Sequence, residues 1–348
     1  MDIPDTLQCL ATRLNACVDA LPAGSGLKTV VAVQAALRVG IALEDVARAQ
    51  DEDPVPPLTA ALSAAIAAAE AAVGSAAHVE PGRGWDPAAA GQAYTTDLFE
   101  NAWTTYSPST YDHSVGLVEG RLRANGFDDA WFAGKTCLDS GCGTGRLSLA
   151  MARFGAARVV ALDLGRRSLD FFGEVLRRHG IDTVEPTEGD VTDLGRFADE
   201  SFDFVASNGV LHHTRDPLGG LVEHFRVTRR GGVLWLYLYG AGGLYWGLYD
   251  ALRPLVAGVP PQAFAATLRG FGVREGLVYT LLDNFQAPRT YHTVDQVREL
   301  LEPHGRLRIV THKGNSPVDD TAAVLASRHG RAIFGPGGEV RISVFKDS

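Results

Sequence analysis

Lysine is nearly absent: Lys28, Lys135, Lys313 and Lys346 are the only four in 348 residues. Lys and Arg together number 32 against 41 Asp and Glu, a formal net charge of −9. A chain that tracks a phosphate backbone carries a basic face, so nucleic acid is not an expected partner. Cysteine is scarce too. Cys9, Cys17, Cys137 and Cys142 form no CxxC pair, which excludes a disulfide scaffold, a zinc ribbon and a thioredoxin-like motif. No metal site is expected, and no CxxxCxxC cluster supports radical chemistry. At the start, MDIPDTLQC puts Asp2 and Asp5 where a secretory signal carries positive charge. A reducing, cytoplasmic location is the expectation. The one charge-free run, 231–249, contains six glycines and is split by GAGG. A buried strand followed by an aromatic segment is expected there rather than a membrane span.

What is present is an ordinary globular composition, 46% hydrophobic and 21% charged, on a chain long enough to bury a core without cross-links. Residues 1–87 are Ala-rich, with apolar residues at helical spacing in DTLQCLATRLNACVDAL and LTAALSAAIAAAEAAV. Pro/Gly breaks separate these runs. They predict a helical appendage that serves as a cap, as packing or as a homodimer contact. From Lys135 the pattern becomes short β-rich runs alternating with helical stretches: KTCLD, RVVALD, TVEPTEGD, FDFVASN, VLWLYLY, then RLRIVTHK and EVRISVFKD. That alternation predicts an α/β fold with a doubly wound, mostly parallel sheet in a domain spanning 88–348. Residues 241–288 interrupt it with an aromatic, Gly/Pro-containing insertion.

The most informative segment is KTCLDSGCGTGRLSLA, a strand ending in Asp139, a loop with Gly141, Gly143 and Gly145, then a helix. Glycines belong where a backbone adopts positive φ or approaches a ligand closely. No G-K-[ST] closes the loop, so it is not a P-loop. Arg146 stands where a dinucleotide fingerprint needs its third glycine. Downstream, Asp163 ends the second strand, where a carboxylate can accept the hydroxyls of a ribose. Asp190 ends the third, within reach of an adenine amino group, and Asn208 ends the fourth. Four polar side chains at four successive strand ends outline one crevice at the carboxyl edge, where open α/β sheets bind ligands.

In this order the segments LDSGCGTG, ALDLG, EGDV, FDFVASNGVLHHTRDP and RVTRRGGVLWLYLY resemble the class I S-adenosylmethionine-dependent methyltransferases of small-molecule type, over residues 118–315. The resemblance implies a Rossmann-like seven-stranded sheet with a final antiparallel strand and S-adenosylmethionine as cofactor. By position, Asp139 and the loop Gly141, Cys142, Gly143 and Gly145 would hold the methionine moiety. Asp163, with Leu164 beside it, would hold the ribose. Asp190 and Val191 would flank adenine, and Asn208 would lie near the sulfonium. Ser140 departs from the apolar residue common at its place. The cofactor is a cation without phosphates, so carboxylates and ring faces suit it and a Lys/Arg cluster is not needed.

The acceptor is less legible. Candidate bases are His212 and His213 past the fourth strand, Tyr111 and His113 in TYDH, and His292 in TYHT, since an imidazole titrates near neutrality. Tyr94, Tyr106 and Tyr111 precede the core and are candidates to close over the cofactor. By the resemblance, 241–288 is expected as a lid over the acceptor. Its rings suit an apolar or aromatic molecule, while packing against the N-terminal helices is the competing use. The fourth strand ends in SNGV and lacks the Pro-Pro-Tyr type of tetrapeptide used on DNA bases or protein glutamine. The expected activity is methyl transfer to a small organic acceptor, plausible in specialised metabolism. The alternatives are methylation of RNA or protein, a non-methylating relative that binds the cofactor, and a nicotinamide oxidoreductase.

Overall fold

The computed structural model describes residues 3–75, 95–100, 104, 107–314 and 318–347. Tyr94 and Tyr106, two of the three candidate closing tyrosines, lie outside them. The chain divides into two compact units. One comprises Phe99–Ala241, Arg289–Val324 and Gly337–Ser348. The other comprises Met1–Leu98, Gly242–Pro288 and Leu325–Pro336. The sequence reading placed the boundary at 87 and left the insertion with the catalytic domain. The structure puts the boundary at Leu98 and groups the insertion with the N-terminal helices.

The first unit is built on seven strands: β1 (Thr136–Ser140), β2 (Arg158–Asp163), β3 (Val184–Glu188), β4 (Phe202–Asn208), β5 (Thr228–Leu238), β6 (Leu307–Thr311) and β7 (Val340–Lys346). Their order is β3-β2-β1-β4-β5-β7-β6. All neighbours are parallel except β7, which runs antiparallel to β5 and β6. This is the Rossmann-like sheet with an antiparallel final strand. The central strands read as continuous apolar runs because helices cover both faces; Val159, Val160, Ala161 and Leu162 of β2 are all buried. Register lines up the carboxyl ends. Ser140 pairs with Leu162, Asp163 with Glu188, and Asn208 with Tyr237. Residues 231–249 form most of β5 and the start of the helix Leu244–Leu252, as their glycine content suggested.

One face of the sheet is packed with rings. Phe127 meets Trp131, Phe204 and Trp235 edge-on at 5.0–5.8 Å. Such aromatic pairs contribute about 1 kcal/mol each beyond area burial. The helix Pro108–Ala124 lies on this face, capped by the Ser107 hydroxyl accepting from Thr110 N–H, with Pro at its first position where no N–H is required.

The second unit contains α1 (Asp5–Asp19), α2 (Gly26–Arg48) and α3 (Val55–Ser75), together with the helices Leu244–Leu252, Pro261–Gly270, Glu275–Gln286 and Gly330–Phe334. Leu7, Ala11, Leu14 and Val18 give α1 one buried stripe. Gly40 of α2 lets Leu281 approach the helix backbone, because a Cβ there would overlap that side chain. The Glu44 carboxylate accepts hydrogen bonds from Tyr245 (2.5 Å) and Tyr249 (3.3 Å), and Asn284 donates to the Tyr245 oxygen (2.9 Å). Tyr245, Trp246, Tyr249, Phe264, Tyr279 and Phe285 are buried within this unit, and Phe271 is exposed. Packing with the N-terminal helices therefore accounts for most of the insertion's rings. Among the described residues, Val55–Gly74 is the one helical stretch long and apolar enough to cross a membrane, with a mean hydropathy of 1.4. Its Leu58, Leu62, Ala65, Ile66 and Ala69 are buried, and α3 packs on α1 and α2.

Candidate active site

β1 delivers Asp139 to the carboxyl edge fully enclosed. Ser148, on the helix Arg146–Arg153 that follows the loop, donates its hydroxyl to Asp139 Oδ2 at 2.6 Å. Burial outweighs that bond and pushes the Asp139 carboxyl up to about 6. Ser140 next to it is buried, and its Oγ has no hydrogen-bond partner among the described residues.

The loop turns on three left-handed glycines, with φ of +81° at Gly141, +53° at Gly143 and +77° at Gly145. Each is glycine for a different reason. A Cβ at Gly141 would overlap Val210, and one at Gly145 would overlap the Phe172 ring. A Cβ at Gly143 would meet nothing within 4 Å, so the middle of the loop is open to a ligand. Backbone bonds from Gly141 and Cys142 N–H to the Leu162 carbonyl (2.8 and 3.0 Å) tie the loop to β2. Tyr111 ties it from the other side, its buried hydroxyl donating to the Thr144 carbonyl at 2.8 Å. Burial and the neighbouring Asp163 and Asp139 push the Cys142 thiol well up, which favours its protonated form.

Asp163 is gripped by backbone alone. Its Oδ2 accepts from Gly143 N–H (2.8 Å) and its Oδ1 from Gly165 N–H (2.7 Å). Burial raises its carboxyl, and the two N–H groups oppose that rise. Leu164 beside it is exposed. At the end of β3, Asp190 closes a small turn by accepting from Thr192 N–H (2.8 Å) and the Thr192 hydroxyl (2.7 Å). Val191 is buried in the apolar cluster with Leu162, Leu194 and Leu211. Asn208 Oδ1 accepts from the Trp235 indole N–H at 3.2 Å. Asp139, Asp163, Asp190 and Asn208 thus occupy the ends, or the residues just after the ends, of four adjacent strands. The carboxylates and the open glycine turn fit a cationic nucleoside without phosphates.

Three of the five candidate bases gather past β4 and β5. His212 is fully buried, its ring 4.1 Å from that of His213 and 3.8 Å from Tyr239. The Thr290 backbone N–H donates to the His212 carbonyl (2.8 Å), and its hydroxyl lies 2.8 Å from His292 Nε2. The His292 backbone N–H donates to Tyr239 O (2.8 Å). Burial holds His212 well below the ordinary histidine range and lowers His292 as well, so both rings are neutral at pH 7. The other two candidates are placed differently. Burial keeps the Tyr111 phenol protonated, and its proton is spent on the loop. His113 is exposed on the helix Pro108–Ala124.

Sequence reasoning missed Glu100. This buried carboxylate accepts from the N–H of Arg167 (2.7 Å) and Ser168 (3.4 Å), and Arg167 Nε donates to it at 3.0 Å. It caps the helix Arg166–His179, whose own N-cap residue, Gly165, has no side chain to do so. Nothing in the local sequence around residue 166 announces a cap 67 positions away. Ser148 was recoverable, since a hydroxyl on the first turn after the loop faces back toward β1.

An open, mostly parallel sheet with acidic strand ends and a glycine turn is a Rossmann-like architecture, which binds ligands at this carboxyl edge. Residues 138–236 match the family described as "Methyltransferase domain". Over this stretch the chain is similar to methyltransferase domains. The chain is 36% identical over 142 residues to a ubiquinone biosynthesis O-methyltransferase of Hahella chejuensis, covering 40% of this chain and 56% of that protein. It is 43% identical over 102 residues to a demethylmenaquinone methyltransferase of Clavibacter sepedonicus, covering 29% and 39%. It is 36% identical over 101 residues to a ribosomal protein L11 methyltransferase of Thermotoga maritima, covering 29% and 36%. The chain spans about half or less of the length of these relatives.

Proposed function

We propose that the protein transfers the methyl group of S-adenosylmethionine to a small organic acceptor in the cytoplasm. The observation that carries the cofactor assignment is the row of Asp139, Asp163, Asp190 and Asn208 across four adjacent strand ends, beside a loop open at Gly143. When bound, the cofactor would supply an electrophilic methyl group: an acceptor lone pair would bond to the methyl carbon in line as the S–CH3 bond breaks and its electron pair returns to sulfur, leaving S-adenosylhomocysteine. The chain's own contribution is to hold and orient. Asp163, already fixed by two backbone N–H groups, has lone pairs left for the ribose hydroxyls. Asp139 meets the methionine end, and a cation there favours its ionised form. Asn208, oriented by Trp235, stands on β4 at the sulfonium side. Where the acceptor gives up a proton, the proposed recipient is His213, the least buried of the three clustered imidazoles.

Two features support a small acceptor. The net charge is −9, and the end of β5 is walled by Tyr237, Tyr239 and His212. The names of the relatives include ubiquinone and menaquinone enzymes, and also a ribosomal protein enzyme. The test is incubation with methyl-labelled S-adenosylmethionine and three acceptor pools: a small-molecule library containing phenols, amines and carboxylic acids, bulk tRNA, and ribosomal protein. Label in the small-molecule fraction is the expected result. Label confined to tRNA or protein overturns the acceptor class.

A further inference from the structure

His212 is the most enclosed titratable group at the acceptor side of the edge, and neither of its ring nitrogens has a hydrogen-bond partner among the described residues. Buried polar atoms in folded proteins are almost always paired. Leaving two nitrogens of one ring unpaired costs about 1–3 kcal/mol for each. A site that retains such a group is built to receive something.

The surroundings give the sign of what it receives. Burial is the first cause that keeps His212 unprotonated, and two standing cations, Arg289 and Arg341, work in the same direction. Arg341 stands on β7 directly opposite Tyr237, with its guanidinium carbon 3.6 Å from the centre of that ring. It spends Nη1 on Asp319 (3.3 Å), while its buried Nε has no acceptor among the described residues. Asp319 is shared with Arg121 at 3.0 Å, and the Arg121 Nε is likewise buried without an acceptor. Two guanidinium groups thus divide one carboxylate, and each keeps a buried N–H donor in reserve. A guanidinium presents its donors as a planar fork, and the partner that matches this fork is an oxyanion. Tyr237 and Tyr239 stand 5.9 and 3.8 Å from the His212 ring and supply flat walls.

We propose that the acceptor carries an oxyanion, a carboxylate or a phosphate, that docks against His212, Arg341 and Arg289 at the ends of β5 and β7, with its organic body along Tyr237 and Tyr239. This deepens the methyltransferase reading and rests on it. The oxyanion is the handle that fixes the acceptor's pose. His212, neutral, donates one N–H to it, and the guanidinium groups supply charge. Arg341 and Arg289 are therefore positioning residues for the acceptor.

The experiment is calorimetric titration of the protein saturated with S-adenosylhomocysteine, using benzoate, phenyl phosphate and the neutral benzamide as probes, together with 4-hydroxybenzoate and 4-hydroxybenzamide. Wild type, Arg341→Gln and Arg289→Gln are compared. An anionic probe is expected to bind about tenfold or more tightly than its amide, the value of a charge-assisted hydrogen bond. Each substitution is expected to remove most of that ratio and leave S-adenosylhomocysteine binding intact. Benzoate above phenyl phosphate identifies the handle as a carboxylate, and the reverse order identifies a phosphate. Arg341→Gln removes an ion pair with Asp319 and is the variant at risk of misfolding. Arg289→Gln, at a half-buried position, carries the test by itself in that case. No anionic probe binding better than its amide, or a ratio unchanged in Arg289→Gln, overturns the inference while the methyltransferase reading stands. A wild type that fails to bind S-adenosylhomocysteine overturns both.

Discussion

At the ends of β1 and β2 the carboxylates are matched within the fold, although the Ser140 hydroxyl is not, whereas past the ends of β4 and β5 both nitrogens of a fully buried imidazole lack a partner among the described residues. Asp163 holds one backbone N–H on each oxygen, and Asp139 holds the Ser148 hydroxyl. His212 has neither nitrogen paired among the described residues, and Arg289 and Arg341 oppose its protonation. The first region is preorganised, so a ligand entering it meets donors and acceptors already aimed. The second is assembled around a group that the protein itself does not supply. A cofactor common to many reactions can be met by a fixed frame, while an individual acceptor completes its own half of the site.

The comparison breaks most visibly at the loop. Gly145→Val adds a side chain at φ +77° against the Phe172 ring. Strain and overpacking together are expected to cost about 3 kcal/mol or more. Thermal unfolding would show a large drop in Tm, and a drop no greater than that of a surface substitution would remove the frame from the argument. Glu100→Ala comes next. It uncovers the first N–H groups of the helix Arg166–His179, and the loss expected is about 1–2 kcal/mol by chemical denaturation. The frame reading requires that Glu100→Gln recover part of this, because its amide oxygen can still accept.

The third effect is one of pH. The Asp139 carboxyl sits at about 6 in the fold against an ordinary 3.8. Between these values the folded chain holds more of this proton than the unfolded chain does, so this group's contribution to stability falls as pH rises through the window. The difference in unfolding midpoint between wild type and Asp139→Asn should therefore change steadily from pH 4 to pH 6 and level off above. A flat difference would show that Asp139 is not charge-penalised in the fold. The smallest effect is a baseline outside both regions. Arg158→Ala removes a bidentate but half-exposed ion pair to Glu185 (2.9 and 2.7 Å), worth about 0.5 kcal/mol and screened by salt.

How much of this was legible in the sequence follows the same division. The cofactor half is local. Asp139, the glycines and Ser148 lie within ten residues, and Asp163 and Asn208 sit at the ends of strands whose apolar runs are plain. The sheet could be read for the same reason, since β2 and β4 coincide with the segments RVVALD and FDFVASN. The acceptor half joins residues near 121, 212, 237, 289, 319 and 341. That juxtaposition exists only once β7 has paired antiparallel with β5 and set Arg341 opposite Tyr237. Composition and spacing carry no trace of it. His212, His213 and His292, like Tyr111 and His113, were named as bases from residue type and place along the chain; the Tyr111 hydroxyl donates to the Thr144 carbonyl, and His113 is exposed. The grouping of 242–288 with the N-terminal helices stood in the sequence only as one of two uses of its rings. It depends on contacts such as Glu44 to Tyr245 across 201 residues. An aromatic run has the same appearance in sequence whether it faces a ligand or a helix.

The most direct test of the central claim is calorimetric titration of S-adenosylhomocysteine into wild type and Asp163→Ala, with NAD as the control ligand. The account predicts binding to wild type, no heat from NAD, and affinity weakened about a hundredfold in the variant, which loses the ribose acceptor and strands two backbone N–H groups. Equal binding by a folded Asp163→Ala protein, or binding of NAD in place of S-adenosylhomocysteine, would contradict it.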